Sequence, residues 1–411
     1  MEVKKVYQDI EFELVDGGVR IHNNFNFTDL SKYSFRYELR HEGEIVSQDA
    51  LPTVQCQAGE YIDIKLPQYT LETGKEYTLN FEATSLTPDL LNPGKMESVT
   101  VATEQFVLQP YDFTQTAPKG KIAIERGEDW VVAYAGTTGI LFNTNNGNIV
   151  RYIVDGKDVM QQLPEPWFWR AMTDNDWGAG FQRTANVWRT NRRKALGATV
   201  EEYDDKLVVS GKFYLVDAPS FYTQTYTFRA DGSLQVEVEW QRDGEYVPEL
   251  PRFGMRMILP ADYKHFTFYG RGPWENYSDR CESSFIGLYK QSTDEQLFPY
   301  VRPQESGNKS DVRWLELTND MGTGIRIEGL QPLSVSAMPH RSEDLDPGMT
   351  KKQMHYSDIE PRREVVLHVD LVQRGLGGDN TWGATPHDPY RLTADKYSYG
   401  YVIYPIRHIS K

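Results

Sequence analysis

The chain has 411 residues, which is enough for two or three domains with proper hydrophobic cores. Its 44 basic residues stand against 59 acidic ones, and a formal charge of −15 repels a phosphate backbone, which argues against nucleic-acid binding. Aromatic residues make up 13% of the chain, which is typical of β-rich proteins and suits sugar binding. No apolar run approaches the roughly 18 residues of a membrane span, so we expect a soluble protein without a membrane partner.

The amino terminus and the cysteines restrict the cellular context only weakly. The first five residues include no apolar segment of a secretory signal, so we expect none in this chain, and cytoplasmic and periplasmic locations both stay open. Cys56 and Cys281 are too few for a disulfide framework or a cysteine-based zinc site. Each is predicted to be a small packed side chain.

Period-two alternation of apolar and polar residues predicts half-buried strands along the whole chain. Turn signals between these runs predict hairpins in antiparallel sheets. The alternating runs are Tyr33–Leu39, Ile62–Leu66, Leu234–Trp240 and Val365–Leu371, and the turn signals are Asp16-Gly17-Gly18, Glu42-Gly43, Asp231-Gly232 and Asp243-Gly244.

The chain is predicted to be all-β, with one helix over Phe181–Leu196, where Gly and Pro are absent and Arg and Ala are frequent. A strand-like run ends near Gln109, and a Pro- and Thr-containing stretch follows as far as Pro118. We therefore expect a sandwich of about seven strands over residues 1–112 and one large double-layered sheet structure over residues 113–411.

The common catalytic signatures do not occur in the sequence. There is no dinucleotide fingerprint, no phosphate loop, no His-Glu-x-x-His and no Gly-x-Ser-x-Gly. The eight histidines, His340 and His387 among them, have no metal-ligand spacing, so structural roles are expected for them. No metal site and no cofactor are predicted from the residues.

Four segments concentrate Trp, Gly and acidic or carboxamide residues in loops, where side chains are free to meet a ligand. In the first, a structural alternative makes Trp167 and Trp169 core anchors and Asp174 the cap of a following helix. The second holds an Arg and an Asp that could pair within a rigid loop, and prolines fix the third in an extended form. The four segments are Pro166–Gly178, Tyr269–Arg280, Pro299–Asn308 and Gly375–Gly383.

The fourth segment places Trp382 on a Gly-rich loop directly after an apolar strand. An indole in such a place suits the apolar face of a pyranose, and the neighbouring Asp379 and Asn380 suit its hydroxyl groups. The alternative is that Trp382 plugs the core. The sequence alone leaves both interpretations open.

In this order the four segments resemble the carboxy-terminal part of the lac-type β-galactosidases of glycoside hydrolase family 2. The first 110 residues also resemble the immunoglobulin-like domain that follows the catalytic barrel of that family, most clearly at Asn23–Leu30. The matching strings are Trp-Arg-Ala-x-x-Asp-Asn-Asp-x-Gly (169–178), Glu-Asn-Tyr-x-Asp-Arg (275–280), Pro-Tyr-Val-x-Pro-Gln-Glu-x-Gly (299–307) and Gly-x-Gly-Gly-x-x-x-Trp (375–382).

The resemblance implies an immunoglobulin-like β-sandwich followed by a large supersandwich similar to galactose mutarotases. It implies that Trp382 is the family's active-site tryptophan, an apolar platform for the substrate beside the barrel mouth. It also implies that Gly178 opens a mobile active-site loop that runs to about Asn186. The implied anchors of this loop are Asp174, Asn175 and Asp176.

The sequence departs from the family in lacking the (β/α)₈ barrel with the two carboxylates that a retaining glycosidase needs. We therefore expect no catalytic residue and no hydrolysis by this chain alone. The family's magnesium and sodium sites would lie in the other domains, so no cofactor is expected here. The implied partners are a β-galactoside, a barrel-containing amino-terminal polypeptide and, in the assembled enzyme, further subunits of an oligomer.

The leading hypothesis is a non-catalytic carboxy-terminal portion or small subunit of a β-galactosidase, which completes the substrate pocket. One alternative is a free-standing carbohydrate-binding module that uses Trp382. Another is a mutarotase-like enzyme, which would need a His and a Glu across a pocket, for example His340 and Glu305.

Overall fold

The computed structural model describes residues 1–88, 95–190, 192–244, 246–352 and 354–407. Within these ranges strands dominate, and the longest α-helices, Glu2–Val6 and Asp174–Gly178, have only five residues each. The all-β prediction is confirmed. None of the helices in these ranges is long and apolar enough to cross a membrane. The chain divides into two compact units, one of Met1–Asp112 with Cys281–Leu288, the other of Phe113–Arg280 with Tyr289–Lys411.

The first unit begins with a short helix and continues with seven strands in its described part, as the sequence predicts. The helix is α1 (Glu2–Val6), and the strands are β1 (Ile10–Val15), β2 (Gly18–Asn23), β3 (Ser34–His41), β4 (Glu44–Ala50), β5 (Tyr61–Lys65), β6 (Tyr77–Pro88) and β7 (Met96–Gln109). They form one sheet of order β1-β2-β5 and another of order β4-β3-β6-β7.

Both sheets of this unit contribute to one core. The alternation in β3 buries Phe35, Tyr37 and Leu39 against residues of β1 and β2 such as Phe12. Cys56 is buried in the same core, as predicted. The hairpins β1–β2 and β3–β4 turn at the two predicted Asp-Gly and Glu-Gly signals, where the glycines adopt a positive φ that other residues reach only with strain.

The second unit is built on a five-stranded and a twelve-stranded sheet. Its first strands are β8 (Ala123–Arg126), β9 (Trp130–Ala135), β10 (Thr138–Asn143), β11 (Ile149–Val154) and β12 (Lys157–Asp158), which form the five-stranded sheet in the order β12-β11-β10-β9-β8. The antiparallel register places Ile140 of β10 opposite Ala133 of β9, and both side chains point into the core.

The large sheet comprises β13 (Gln162–Trp167), β14 (Arg193–Glu202), β15 (Lys206–Leu215), β16 (Ser220–Arg229), β17 (Leu234–Arg242), β18 (Arg252–Pro260), β19 (His265–Gly272), β20 (Phe285–Ser292), β21 (Lys309–Thr318), β22 (Gly324–Met338), β23 (Glu364–Gln373) and β24 (Lys396–Ile406). Its main path is β13-β18-β23-β22-β24-β17-β16-β15-β14. Residues of both sheets share one hydrophobic core, for example Phe142 of β10 and Val236 of β17.

Two local predictions need correction. Asp231-Gly232 does join the hairpin β16–β17, but Asp243-Gly244 leads into a loop, because β18 pairs with β13 and β23 instead of β17. The helix predicted over 181–196 is wrong as well. Its first half forms the short helix α3 (Phe181–Thr184) and the 3-10 turn Asn186–Arg189, and its end enters β14, because pairing with β15 outweighs local helix propensity.

Candidate functional site

The first predicted loop segment forms a five-residue helix, α2 (Asp174–Gly178). Thr173 caps it by accepting a hydrogen bond from the Asp176 amide at 3.2 Å, while the Asp176 carboxylate accepts one from the Thr173 amide at 3.1 Å. The cap is therefore Thr173, and the assignment of this role to Asp174 is wrong, because Asp174 already lies inside the first turn. Asp174 is exposed instead, and its carboxylate binds Arg302 at 3.0 Å and Lys351 at 3.3 Å.

Trp167 and Trp169 of the same segment are core anchors, as the structural alternative predicts. Trp167 and Trp169 are both buried. The Trp169 indole donates to Asp346 at 2.6 Å, so its polar atom is satisfied inside the protein. These two indoles are therefore withdrawn from ligand contact.

A fully buried carboxylate links this segment to the Gly-rich loop. Asp176 lies 2.9 Å from Arg170 and 2.9 Å from Arg374, and Arg374 also binds Glu249 at 2.7 Å. Burial acts to lower the pKa of Arg170, but Asp176 outweighs it and raises that pKa, so the guanidinium stays charged. Such a buried ion pair mainly fixes the relative position of the segments that carry its two charges, because burying either charge without the other costs much free energy.

Hydrogen bonds and one close contact hold the start of the Gly-rich loop against α2. Arg170 donates to the carbonyl oxygens of Arg374 and Gly375, the latter at 3.1 Å, and Asn175 donates to the Leu376 carbonyl at 3.0 Å. A Cβ on Gly178 would lie 2.2 Å from the Thr381 carbonyl oxygen. The structure thus brings the predicted Asp174–Gly178 and Gly375–Gly383 segments together.

Trp382 is 81% exposed, so it is not a plug of the core. Its amide donates to Asn380 Oδ1 at 3.1 Å, and the Ala384 amide donates to the same oxygen at 3.2 Å. Asn380 therefore stabilises the loop that carries the indole. Asp379 is exposed and binds His387 at 2.9 Å, which raises the pKa of that imidazole.

Beside this loop lies an open depression of about 700 Å³. The residues that line it include Trp177, Asp174, Arg183, Lys351 and Thr381. Aromatic, hydrogen-bond donor and acceptor groups therefore stand together near Trp382, a mixture that suits a neutral polyhydroxyl ligand.

The second and third predicted segments, Tyr269–Arg280 and Pro299–Asn308, have structural roles because they hydrogen-bond to each other. Glu275 accepts hydrogen bonds from Arg280 at 2.6 Å, from the Gly307 amide at 2.8 Å and from the hydroxyl of Tyr300. Burial, followed by Glu275, raises the pKa of Tyr300 to about 12. Arg280 thus pairs with Glu275, whereas Asp279, the acid of the predicted pair, accepts from the Gly377 amide of the fourth segment at 2.8 Å.

Sequence reasoning missed a buried polar layer on β18 and β23. The alternation correctly places Val365, Leu367 and Val369 towards the core, but it says nothing of the opposite face, where Asp370 lies 2.9 Å from Arg252. Burial raises the pKa of Asp370 to about 7. The only signal available was a charged residue in the middle of an otherwise apolar strand.

Comparison with known proteins places this architecture in a family. Residues 135–403 match the family model described as β-galactosidase small chain, and residues 19–109 match the model of β-galactosidase domain 4. The chain belongs to the β-galactosidase small-chain family.

Curated β-galactosidases are similar to this chain over nearly its whole length. A β-galactosidase of Priestia megaterium is 30% identical over 98% of this chain and 39% of its own length. A β-galactosidase of Halalkalibacterium halodurans is 30% identical over 96% of this chain and also 39% of its own length. A solved galactose mutarotase related enzyme of Lactobacillus acidophilus covers 70% of the chain at 9% identity, with a TM-score of 0.36. The small-chain protein thus spans about two fifths of the curated relatives.

The structure also bears on the mutarotase-like alternative and on the question of a metal site. Glu305 accepts a hydrogen bond from Gln373 at 3.1 Å, whereas the charged neighbours of His340 are Asp344, Asp294 and Arg362. The two residues of the mutarotase alternative therefore share none of these partners. Within the described ranges, no three His, Cys, Asp or Glu side chains converge as metal ligands.

Proposed function

We propose that this small-chain protein is a non-catalytic portion of a β-galactosidase that completes the galactoside pocket of a barrel-containing polypeptide. The observation that carries the proposal is the exposed indole of Trp382, which lies on a loop that buried ion pairs hold in place. An exposed indole offers roughly 150–250 Å² of surface for a sugar face to cover.

The loop that carries Trp382 is already held in one conformation, and this favours binding because the loop loses little conformational entropy when the ligand binds. Arg170 and Asp279 hold its backbone near Gly375 and Gly377, and Asn380 holds the turn at Trp382. In this proposal Trp382 stacks on the sugar, and Asp379 contacts a hydroxyl group. Asn380 acts by positioning the indole. Gly178 opens the separate active-site loop that runs to about Asn186, and Asp174, Asn175 and Asp176 anchor that loop.

Hydrolysis is assigned to the partner polypeptide. A retaining glycosidase needs two carboxylates about 5–5.5 Å apart, one of them free to give and take a proton. The buried carboxylates around the loop are engaged differently, since Asp176 neutralises two arginines and Glu249 binds Arg374. That the family's magnesium and sodium sites lie outside this chain, and that the assembled enzyme is an oligomer, stay predictions.

The test is hydrolysis of a chromogenic β-galactoside by this chain alone, by a barrel-containing amino-terminal polypeptide alone and by their mixture. We expect activity that requires the mixture. Turnover by this chain alone would overturn the non-catalytic assignment. Absence of turnover in the mixture, with both chains folded by circular dichroism, would overturn the complementation and favour a free-standing binding module.

A further inference from the structure

The outer face of the five-stranded sheet has a second aromatic surface, remote in sequence from the Trp382 loop. Trp130 and Tyr134 lie on β9 four residues apart, so both point to the same side, and the intervening Val131 and Ala133 point into the core. The two rings are 38% and 37% exposed and border an open cavity of about 520 Å³.

Each of the two aromatic rings packs closely over a glycine. Tyr134 is paired with Gly139 of β10, and a Cβ on Gly139 would lie 3.0 Å from two carbons of the tyrosine ring. A Cβ on Gly127, in the turn before β9, would lie 2.2 Å from the Trp130 indole nitrogen. A ring that lies across a glycine leaves its opposite side to solvent, which is the arrangement of a stacking platform.

Acidic and polar side chains border these platforms, together with the aliphatic side chains of Val132, Leu141 and Val150. Glu125 and Asp129 border the cavity, and neither carboxylate takes part in an ion pair with another described residue. Asn143 is paired with Trp130 across the strands, while Arg151 on the far side is held by Asp158 at 2.7 Å. Free carboxylates accept hydrogen bonds from hydroxyl groups, and they repel phosphate and other anions.

From this geometry we propose that Trp130 and Tyr134 form an oligosaccharide-binding site separate from the Trp382 loop. Four strand residues span about 13 Å, so the two rings contact different units of one saccharide chain. Glu125 and Asp129 accept hydrogen bonds from its hydroxyl groups. The rings are too far apart to surround a single cation, which argues against a quaternary ammonium ligand. The proposal does not rest on the function assigned to Trp382.

The test titrates β-1,4-linked galactotriose into the full chain and follows heat of binding and the tryptophan indole NMR signals. We expect saturable binding that shifts the Trp130 signal. Trp130→Ala should weaken it about tenfold, the equivalent of covering about half an indole face. Trp274→Ala is the matched control, because it removes another exposed indole, 48% exposed, that has no part in either proposed site and should leave this binding unchanged.

Gly139→Ala provides a second variant that keeps both aromatic residues. The added methyl group should lift the Tyr134 ring off the sheet and weaken binding, while the melting temperature shows that the fold persists. Absence of binding by the folded wild-type chain would overturn the proposal. So would binding that Trp382→Ala abolishes and Trp130→Ala preserves. Self-association or barrel binding lost in Trp130→Ala, without saccharide binding, would make this face a protein interface instead.

Discussion

Gly178 and Gly377, two glycines near Trp382, differ in how much space surrounds the position of a Cβ atom. A Cβ on Gly178 would meet the Thr381 carbonyl oxygen at 2.2 Å, whereas the nearest atom to a Cβ on Gly377 would be an Asp279 oxygen at 3.8 Å. Gly178 has no positive φ, and the left-handed residue in this region is Gly180. At the residue scale, Gly178 therefore serves close approach between α2 and the Trp382 loop.

Gly178→Ala should displace the loop and destabilise the chain by about 1–3 kcal/mol, because backbone atoms on both sides must shift. The matched control Gly377→Ala should change stability by less than about 0.5 kcal/mol, since it makes only ordinary contacts. Urea unfolding and the NMR signal of the Trp382 indole measure both effects. Equal behaviour of the two variants would contradict this explanation.

At the element scale, α2 and the loop after β23 behave as one unit because Asp176 joins their arginines. Arg170 precedes α2, and Arg374 follows β23 directly, so one carboxylate fixes the relation of two segments about 200 residues apart in sequence. The ion pair therefore specifies the geometry at which Trp382 is presented.

Asp176→Asn should lower the free energy of unfolding by about 3–5 kcal/mol, because two buried guanidinium groups lose their shared counter-charge. Asp174→Asn is the control two residues away. Its carboxylate binds Arg302 and Lys351 at the surface, so about 0–1 kcal/mol is expected. Chemical denaturation of the two variants measures the difference, and a small effect of Asp176→Asn would show that the loop is held by other contacts.

The polar face of β23 predicts a pH dependence of stability. Burial, and then the charges of Arg252 and Arg256, lower the pKa of His368 well below its ordinary value. The unfolded chain takes up this proton near pH 6.5 and the folded chain does not, so the contribution of His368 is present above pH 6.5 and is lost as the pH falls below it.

His368→Gln should therefore reduce the loss of stability between pH 6.5 and 5, by up to about 1.4 kcal/mol per pH unit. His387→Gln is the control, because Asp379 raises the pKa of this exposed imidazole and any effect has the opposite sign. Urea unfolding at several pH values gives the slopes. A slope that is the same in His368→Gln and wild type would show that His368 takes up its proton in the folded chain.

At the scale of the whole molecule, we expect Trp382 to affect ligand binding and not the stability of the fold. The indole makes few contacts within the chain, as the 81% exposure of Trp382 shows, so under the proposed function its contribution is made in the assembled enzyme. The charge of −15 and the pI near 5.1 favour a neutral sugar over an anionic ligand.

Trp382→Ala should leave the free energy of unfolding of the isolated chain within about 0.5 kcal/mol of wild type. In the mixture with the barrel polypeptide it should reduce kcat/KM for a β-galactoside about tenfold, since one apolar platform is lost. Unfolding curves and steady-state kinetics test the two statements separately. Unchanged kinetics in a folded variant would remove Trp382 from the site.

The sequence by itself determined the all-β class, the seven-strand first unit, the family and the residues of the Trp382 loop. These follow from local patterns, since the period-two alternation, turn glycines and motif order need no knowledge of distant neighbours. Tertiary structure alone decided that residues 193–196 extend a strand instead of a helix, and that Asp176 joins Arg170 to Arg374. Burial and strand pairing bring together residues about 200 positions apart, and they decide which charges are enclosed and which indole meets solvent.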